Sequence, residues 1–289
     1  MKELTIISGK GGTGKTSIVG SFASLAKNFV LADVDVDAAD LHLIIASQIK
    51  QRFDFMGGHK AIIDPERCTQ CGDCLERCQF DAINDFSIDT IACEGCGVCV
   101  HFCPSNAIDF PQRKCGEWFI SNTAYGPMVH ARLGIAEENS GLLVSTVRKA
   151  ARELAENENR DLIIADGPPG IGCPVIASIT GASAILIITE PTLSGLHDLK
   201  RVAELSKFLK VPGMLCINKF DLNPDMSNTL LNTALAYQLT EVGKVPYDPS
   251  VTKAMVSGKS PIDFSNGSAS QAIRQVWENV SRFLDAQTE

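Results

Sequence analysis

Leu4-Thr5-Ile6-Ile7-Ser8-Gly9-Lys10-Gly11-Gly12-Thr13-Gly14-Lys15-Thr16 is the stretch from which the rest of the chain is read. A short apolar run ends at glycines, and residues 16–28 then have helical character. Strand, glycine-rich loop and helix in that order, with Gly9, Gly14, Lys15 and Thr16 at the fixed positions, fit the nucleotide P-loop. Glycines let backbone N–H groups approach a phosphate at a helix N-terminus, where the dipole favours anions. Lys15 is then expected to reach the outer phosphates and Thr16 to ligate Mg²⁺. Gly11, Gly12, Thr13, Gly14 and Ser17 complete the expected binding segment for ATP. A plain glycine turn is the alternative, and the full set of fixed positions weighs against it.

Working outward, Phe29-Val30-Leu31-Ala32 reads as a second strand that runs into Asp33-Val34-Asp35. Leu162-Ile163-Ile164-Ala165 reads as another, ending at Asp166-Gly167-Pro168-Pro169-Gly170. Carboxylates at the carboxyl ends of such strands lie where α/β sheets bind ligands. Asp166 suits a Walker B carboxylate for Mg²⁺, and Asp33 or Asp35 suits support of the metal or of the attacking water. Asp37 and Asp40 read as loop caps. Further strands are expected near 117–121, 126–131, 184–189 and 213–217, with helices at 140–157 and 194–209. Strands alternating with helices predict an α/β fold, a mostly parallel sheet covered on both faces.

The alternation breaks where cysteines gather. Cys68, Cys71, Cys74 and Cys78 repeat their spacing in Cys93, Cys96, Cys99 and Cys103, a period of 25 residues. Similar short segments flank both runs, such as Asp81-Ala82-Ile83 and Asn106-Ala107-Ile108. Eight thiolates so spaced suit two [4Fe–4S] clusters. Zinc is the alternative, since Cys-x2-Cys pairs also fit a tetrahedral ion. Metal–thiolate bonds would supply the folding energy that so little apolar material lacks. The chain is therefore divided into a P-loop ATPase domain, 1–53 and 116–289, and a small α+β ferredoxin-like insert, 54–115. Of the three remaining cysteines, Cys115 and Cys216 read as structural. Cys173 reads either as a small hydrophobe or as a thiol that meets a cluster, a metal or its mate in a dimer. The five histidines have no metal-ligand spacing.

Composition narrows the classes. With 289 residues, 45% hydrophobic, the chain can bury a core. A net charge of −8 gives no reason to expect nucleic-acid binding. No apolar run reaches the ~18 residues of a membrane span. The N-terminus reads directly into a strand without a signal peptide, and cysteines in cluster spacing point to a reducing cytoplasm.

Outside the insert the chain resembles the MinD/ParA/Mrp family of P-loop ATPases. Lys10-Gly11-Gly12-Thr13-Gly14-Lys15-Thr16 is similar to that family's deviant Walker A segment. The resemblance implies an ATP-sandwiched homodimer, or a heterodimer with a related ATPase, in which Lys10 reaches the partner's nucleotide. It also implies that Asp35 positions water and that Asp166 begins the switch region. In Ile217-Asn218-Lys219 it implies that Asn218 reads adenine, and in Val245-Pro246-Tyr247-Asp248 that Pro246 packs beside the base. The insert resembles a bacterial 2[4Fe–4S] ferredoxin, in which the fourth cysteine of each run ligates the other cluster. By that resemblance Cys68, Cys71, Cys74 and Cys103 hold one cluster, and Cys93, Cys96, Cys99 and Cys78 the other. Pro104 follows Cys103 as in the pattern, whereas Gln79 follows Cys78. Ile273, Val276, Trp277, Val280, Phe283 and Leu284 form a helical stripe that reads as core rather than as a membrane anchor.

The combined expectation is an ATP-hydrolysing iron–sulfur protein that couples nucleotide state to electron transfer, or to metallocluster assembly or transfer, with a redox or metalloprotein client. The alternatives are a ParA/MinD-like positioning or scaffolding switch with structural clusters, and a plain ferredoxin carrying a degenerate ATPase.

Overall fold

A computed structural model describes residues 1–134 and 140–287. The chain divides into two compact units. The larger holds residues 1–52, Trp118–Arg132 and those from Ser140 onward; the smaller holds Phe53–Glu117 with residues 133–134.

The larger unit is built on a sheet. Its strands are β1 (Lys2–Ser8), β2 (Phe29–Asp33), β3 (Ser47–His59), β4 (Gln112–Thr123), β5 (Pro127–Leu133), β6 (Leu162–Pro169), β7 (Ala184–Thr189), β8 (Gly213–Asn218) and β9 (Thr240–Val245). They lie in the order β9-β8-β7-β1-β6-β2-β5-β4-β3. Every pair from β9 to β5 is parallel, so the carboxyl ends of these seven strands share one edge. β3 leaves the larger unit after Arg52, and β4 enters it at Trp118.

Helices cover both faces: α1 (Lys15–Leu25), α2 (Ser140–Asn157), α3 (Cys173–Ile179), α4 (Leu193–Phe208), α5 (Pro224–Ala236), α6 (Pro249–Val256) and α7 (Ser268–Ala286). Successive strand residues point to opposite faces, so a continuous apolar strand feeds two cores. Ile6, Leu186 and Cys216 join one core with Ile18 and Phe22 of α1 and Ile273, Val276 and Val280 of α7. Ile7, Ile187 and Leu215 join the other with Val175 of α3, Leu199 of α4 and Leu230 of α5. The stripe on α7 is thus spent on the core, with Trp277 tilted against Phe22 at 4.9 Å between ring centres. Among the described residues no helix is long and apolar enough to cross a membrane.

The smaller unit repeats itself in its backbone. Ile62–Ile63 pairs antiparallel with Ile108–Asp109, and Ile83–Asn84 with Ser87–Ile88. Short helices, Asp73–Arg77 and Val98–His101, each follow a glycine in the left-handed region, Gly72 (φ 87°) and Gly97 (φ 73°). Gln70 and Gly95 are likewise left-handed, as are Asp81 and Asn106, again 25 residues apart. The amide of Asp64 donates to the carbonyl of Ala107 and that of Asp89 to Ala82, each at 2.8 Å. Each half therefore begins against the end of the other. Its buried core is small: Ala61, Cys74, Ile83 and Ile108.

Candidate functional site

The P-loop is strained in the way its glycines permit. Gly12 and Gly14 have φ of 81° and 86°, a region costly for other residues. A Cβ on Gly14 would also sit 2.3 Å from Nδ2 of Asn218, whereas one on Gly11 or Gly12 would meet nothing within 4 Å. That open backbone faces a cleft of about 400 Å³ lined by residues 11–17, Asp35 and Asn218. Thr13 Oγ1 is buried with no hydrogen-bond partner among the described residues. A buried hydroxyl left unpaired is costly unless a ligand or water meets it, so the loop fits a phosphate group.

Three carboxylates converge on one lysine at the base of this cleft. Lys15 Nζ lies 2.6 Å from Asp166 Oδ1 and 3.4 Å from Asp35 Oδ2, with all three side chains largely buried. Burial works against the Lys15 charge, but Asp166 and then Asp35 outweigh it and raise its pKa. Asp33 is fully buried; its carboxylate accepts from the amides of Leu41 (3.2 Å) and Asp35 (3.3 Å). Burial, then the charge of Asp166, holds Asp33 well above the usual carboxylate range. Burial likewise lifts Asp35 to about 6, against the pull of Lys15. β2 and β6 are paired with Asp33 opposite Asp166, which is why the two carboxylates meet.

Asp35 gives a pH dependence with a definite sign. Its folded pKa is raised, so its contribution favours the fold below the unfolded value of 3.8 and is lost as pH climbs to about 6. The shift corresponds to about 3 kcal/mol. Asp35→Asn is expected to gain stability relative to the parent as pH rises from 4 to 7, read from urea melts at both values. A parent-minus-variant difference that stays flat across that window would contradict it.

Other expected site residues lie elsewhere. Lys10 does not line the cleft; its Nζ bonds Ser194 Oγ at 3.1 Å near the start of α4, exposed. Asp33 and Asp166 lie behind Lys15 rather than in the lining, and half-buried Pro246 is also outside it. Asn218 does reach the loop: its Nδ2 donates to the carbonyl of Thr13 at 2.8 Å. Asp40, read as a loop cap, makes no side-chain capping bond and lines the cleft instead. The α6 residues Val251, Thr252 and Met255 also line it, with Ser17 Oγ 2.9 Å from Met255 Sδ. The turn just before α6, Val245-Pro246-Tyr247-Asp248, was the only sequence signal near them.

In the smaller unit two cavities divide the eight clustered cysteines. One is lined by Cys68, Cys71, Cys74 and Cys103, the other by Cys78, Cys93, Cys96 and Cys99. The amide of Ala107 donates to Cys103 Sγ at 3.3 Å. All eleven cysteines are free thiols. Among the described residues no three His, Cys, Asp or Glu side chains converge where one metal ion could sit. Cys173 is exposed at the first residue of α3, and Cys115 and Cys216 are buried.

Comparison with known proteins decides the family. The model of the CobQ/CobB/MinD/ParA nucleotide-binding domain matches residues 4–262. The chain belongs to this family of P-loop NTPases. It is 33% identical to the uncharacterised protein MJ0578 of Methanocaldococcus jannaschii, over 98% of this chain and 97% of that one. It shares its fold with MinD of Pyrococcus horikoshii, solved in complex with Mg-ADP (TM-score 0.60, 15% identity, 99% of this chain and 98% of that one). It likewise shares the fold of MinD in the MinC:MinD cell division complex of Aquifex aeolicus (TM-score 0.59, 16% identity, 98% and 96%). The chain is accordingly a P-loop ATPase of MinD/ParA type.

Proposed function

We propose that this protein is an ATP-driven switch that two copies close around nucleotide, and that hydrolysis reopens. The observation that carries this reading is the pairing of Lys15 with Asp166 at the foot of a P-loop whose Thr13 hydroxyl has no partner. A γ-phosphate can compete for Lys15 and free Asp166, near the end of β6, the strand that leads toward α3. Contacts of γ-phosphate and Mg²⁺ order such segments, and hydrolysis releases them. Thr16, with Asp166 and Asp33 behind it, would hold Mg²⁺, which polarises the phosphate when bound. Asp35 lines the cleft and would orient the attacking water. Asn218 would read the base, with Pro246 on the loop beside it, and half-buried Lys10 would act across the dimer. The Mg-ADP complex of P. horikoshii MinD and the partner complex of A. aeolicus MinD favour a positioning or scaffolding switch over a redox machine.

The test is the mass of the full chain by sedimentation with Mg-ATP and with Mg-ADP. A dimer with Mg-ATP alone, lost in Lys10→Ala, is the expected result. A mass indifferent to nucleotide would rule the switch out.

The cysteine cavities favour a second reading, in which residues 54–115 form an insert in the ATPase domain and carry two [4Fe–4S] clusters. Zinc would draw its four sulfurs to within about 4 Å of one another. A cube binds each cysteine through a different iron and so spreads them, which suits cavities walled by four thiols. The fourth cysteine of each set comes from the other run, as the crossed Asp64–Ala107 and Asp89–Ala82 bonds favour. Clusters of this kind supply one-electron chemistry when bound. They would let nucleotide state gate electron delivery, or cluster assembly or transfer, to a metalloprotein client in a reducing cytoplasm.

A further inference from the structure

The larger unit has a second cleft, away from the P-loop. It spans about 380 Å³ and is lined by Ser145, Arg148, Lys149 and Arg152 of α2 and by Ala177 and Thr180 at the end of α3. Arg148, Lys149 and Arg152 gather three cations on two adjoining turns of one helix, in a chain of net charge −8. Helical spacing puts Arg148, Lys149 and Arg152 on one side of α2.

Their partners do not use up their charge. Glu3 is the one buried carboxylate among them: Oε1 accepts from Arg148 Nε at 2.6 Å, and Oε2 from Arg152 Nε at 2.9 Å. Arg148 Nη1 holds the carbonyls of Ala177 and Thr180. Arg148 Nη2 is buried and has no hydrogen-bond partner among the described residues, in a residue only 6% exposed. Arg152 binds Glu3 through Nε and Nη2, which leaves Nη1 outside that pair. Lys149 meets Glu153 only at 3.7 Å, both exposed, a pairing worth little in water. Three positive charges thus face one buried negative charge and one exposed one. An unpaired guanidinium nitrogen at nine-tenths burial is costly, and guanidinium forks match phosphate oxygens.

We propose that this cleft binds a phosphate-type oxyanion, free or as the phosphate group of a small metabolite, at a site distinct from the nucleotide cleft. Arg152, through its Nη1, and Lys149 supply the donors that reach the anion, with the Arg148 charge buried behind them. Arg148 also holds the last carbonyls of α3, the helix that follows β6, so the bound anion draws on the residue that anchors that helix.

The P-loop itself binds phosphates, so the test uses the full chain with saturating Mg-ADP. Inorganic phosphate and glycerol phosphate are titrated by calorimetry. One anion binding per chain is expected, weakened about tenfold or more in the double variant Lys149→Gln/Arg152→Gln, whose residues are exposed enough to change without unfolding the helix. The affinity is expected to fall as ionic strength rises. Tighter glycerol phosphate marks an ester-bearing ligand and tighter free phosphate the inorganic ion; either supports the site. No binding with Mg-ADP present, or binding unchanged in the double variant, would overturn it. Raising Mg-ADP further is expected to leave this affinity unchanged; competition by the nucleotide would place the anion in the P-loop cleft and also overturn it.

Discussion

Lys15→Ala is expected to lose nucleotide binding and hydrolysis together, and to weaken the fold more at pH 7.5 than at pH 5. The first half follows from the family's use of this lysine on phosphate oxygens. The second follows from the electrostatics of the cleft floor. Lys15 is the cation that Asp166 and Asp35 both face, at 2.6 and 3.4 Å. Removing one partner of a buried pair leaves an uncompensated charge and costs roughly 3–5 kcal/mol. Asp33, Asp35 and Asp166 would then repel one another in a desolvated pocket, and the relief open to Asp33 and Asp35 is to take up protons. Asp33 and Asp35 already have raised pKa values with Lys15 in place, and its loss raises them further. A raised folded pKa means stability present in acid and lost as pH climbs through that value. The deficit is therefore larger at pH 7.5. Urea melts at the two pH values and calorimetry with Mg-ATP read both halves. A variant as stable as the parent at pH 7.5 would remove the structural role from the Lys15–Asp166 pair, and one that still binds Mg-ATP would remove the nucleotide role from Lys15.

The α/β architecture was legible because its strands are apolar on both sides. Runs such as Ala184–Thr189 are buried throughout, and the expected helix over Ser140–Asn157 is α2 itself. Strand ends were less legible: β6 continues to Pro169, past the Asp166 at which the apolar pattern stops. β3 was missed altogether. Its sequence, Ser-Gln-Ile-Lys-Gln-Arg-Phe-Asp-Phe-Met-Gly-Gly-His, is largely exposed, so no two-sided burial imprints an apolar run on it. In the site, residues contiguous with the P-loop could be read from spacing alone. Asp40 and the α6 residues Val251 and Met255 could not, because only the packing of distant segments brings them to the loop. In the smaller unit the period of 25 was visible in the cysteines, yet its backbone echo was not. Gln70, Asp81 and Asn106 take positive φ without being glycine, and residue type alone does not announce that.

Anaerobic reconstitution with iron and sulfide is expected to convert the smaller unit from a protease-sensitive segment into a resistant one. The buried cluster at its core is Ala61, Cys74, Ile83 and Ile108, with eight partly buried side chains packed against it, three of them cysteines. So few apolar side chains fall far short of the backbone entropy that ordering some sixty residues costs. Structural metal–thiolate sites contribute folding energy on the order of 10 kcal/mol, the scale that is missing. Two cubes bring about eight irons per chain. Paired substitutions then test which thiols act together. Cys74→Ser and Cys103→Ser come from different runs but line the same cavity, so each alone, and both together, are expected to halve the iron. Cys74→Ser and Cys78→Ser come from one run but line different cavities, so that pair is expected to abolish iron binding. Independent runs would give the reverse: half the iron left in the Cys74/Cys78 pair and none in the Cys74/Cys103 pair. A colourless protein that takes up only zinc under the same conditions would remove the clusters from the molecule altogether, and the nucleotide switch would then stand without a redox partner.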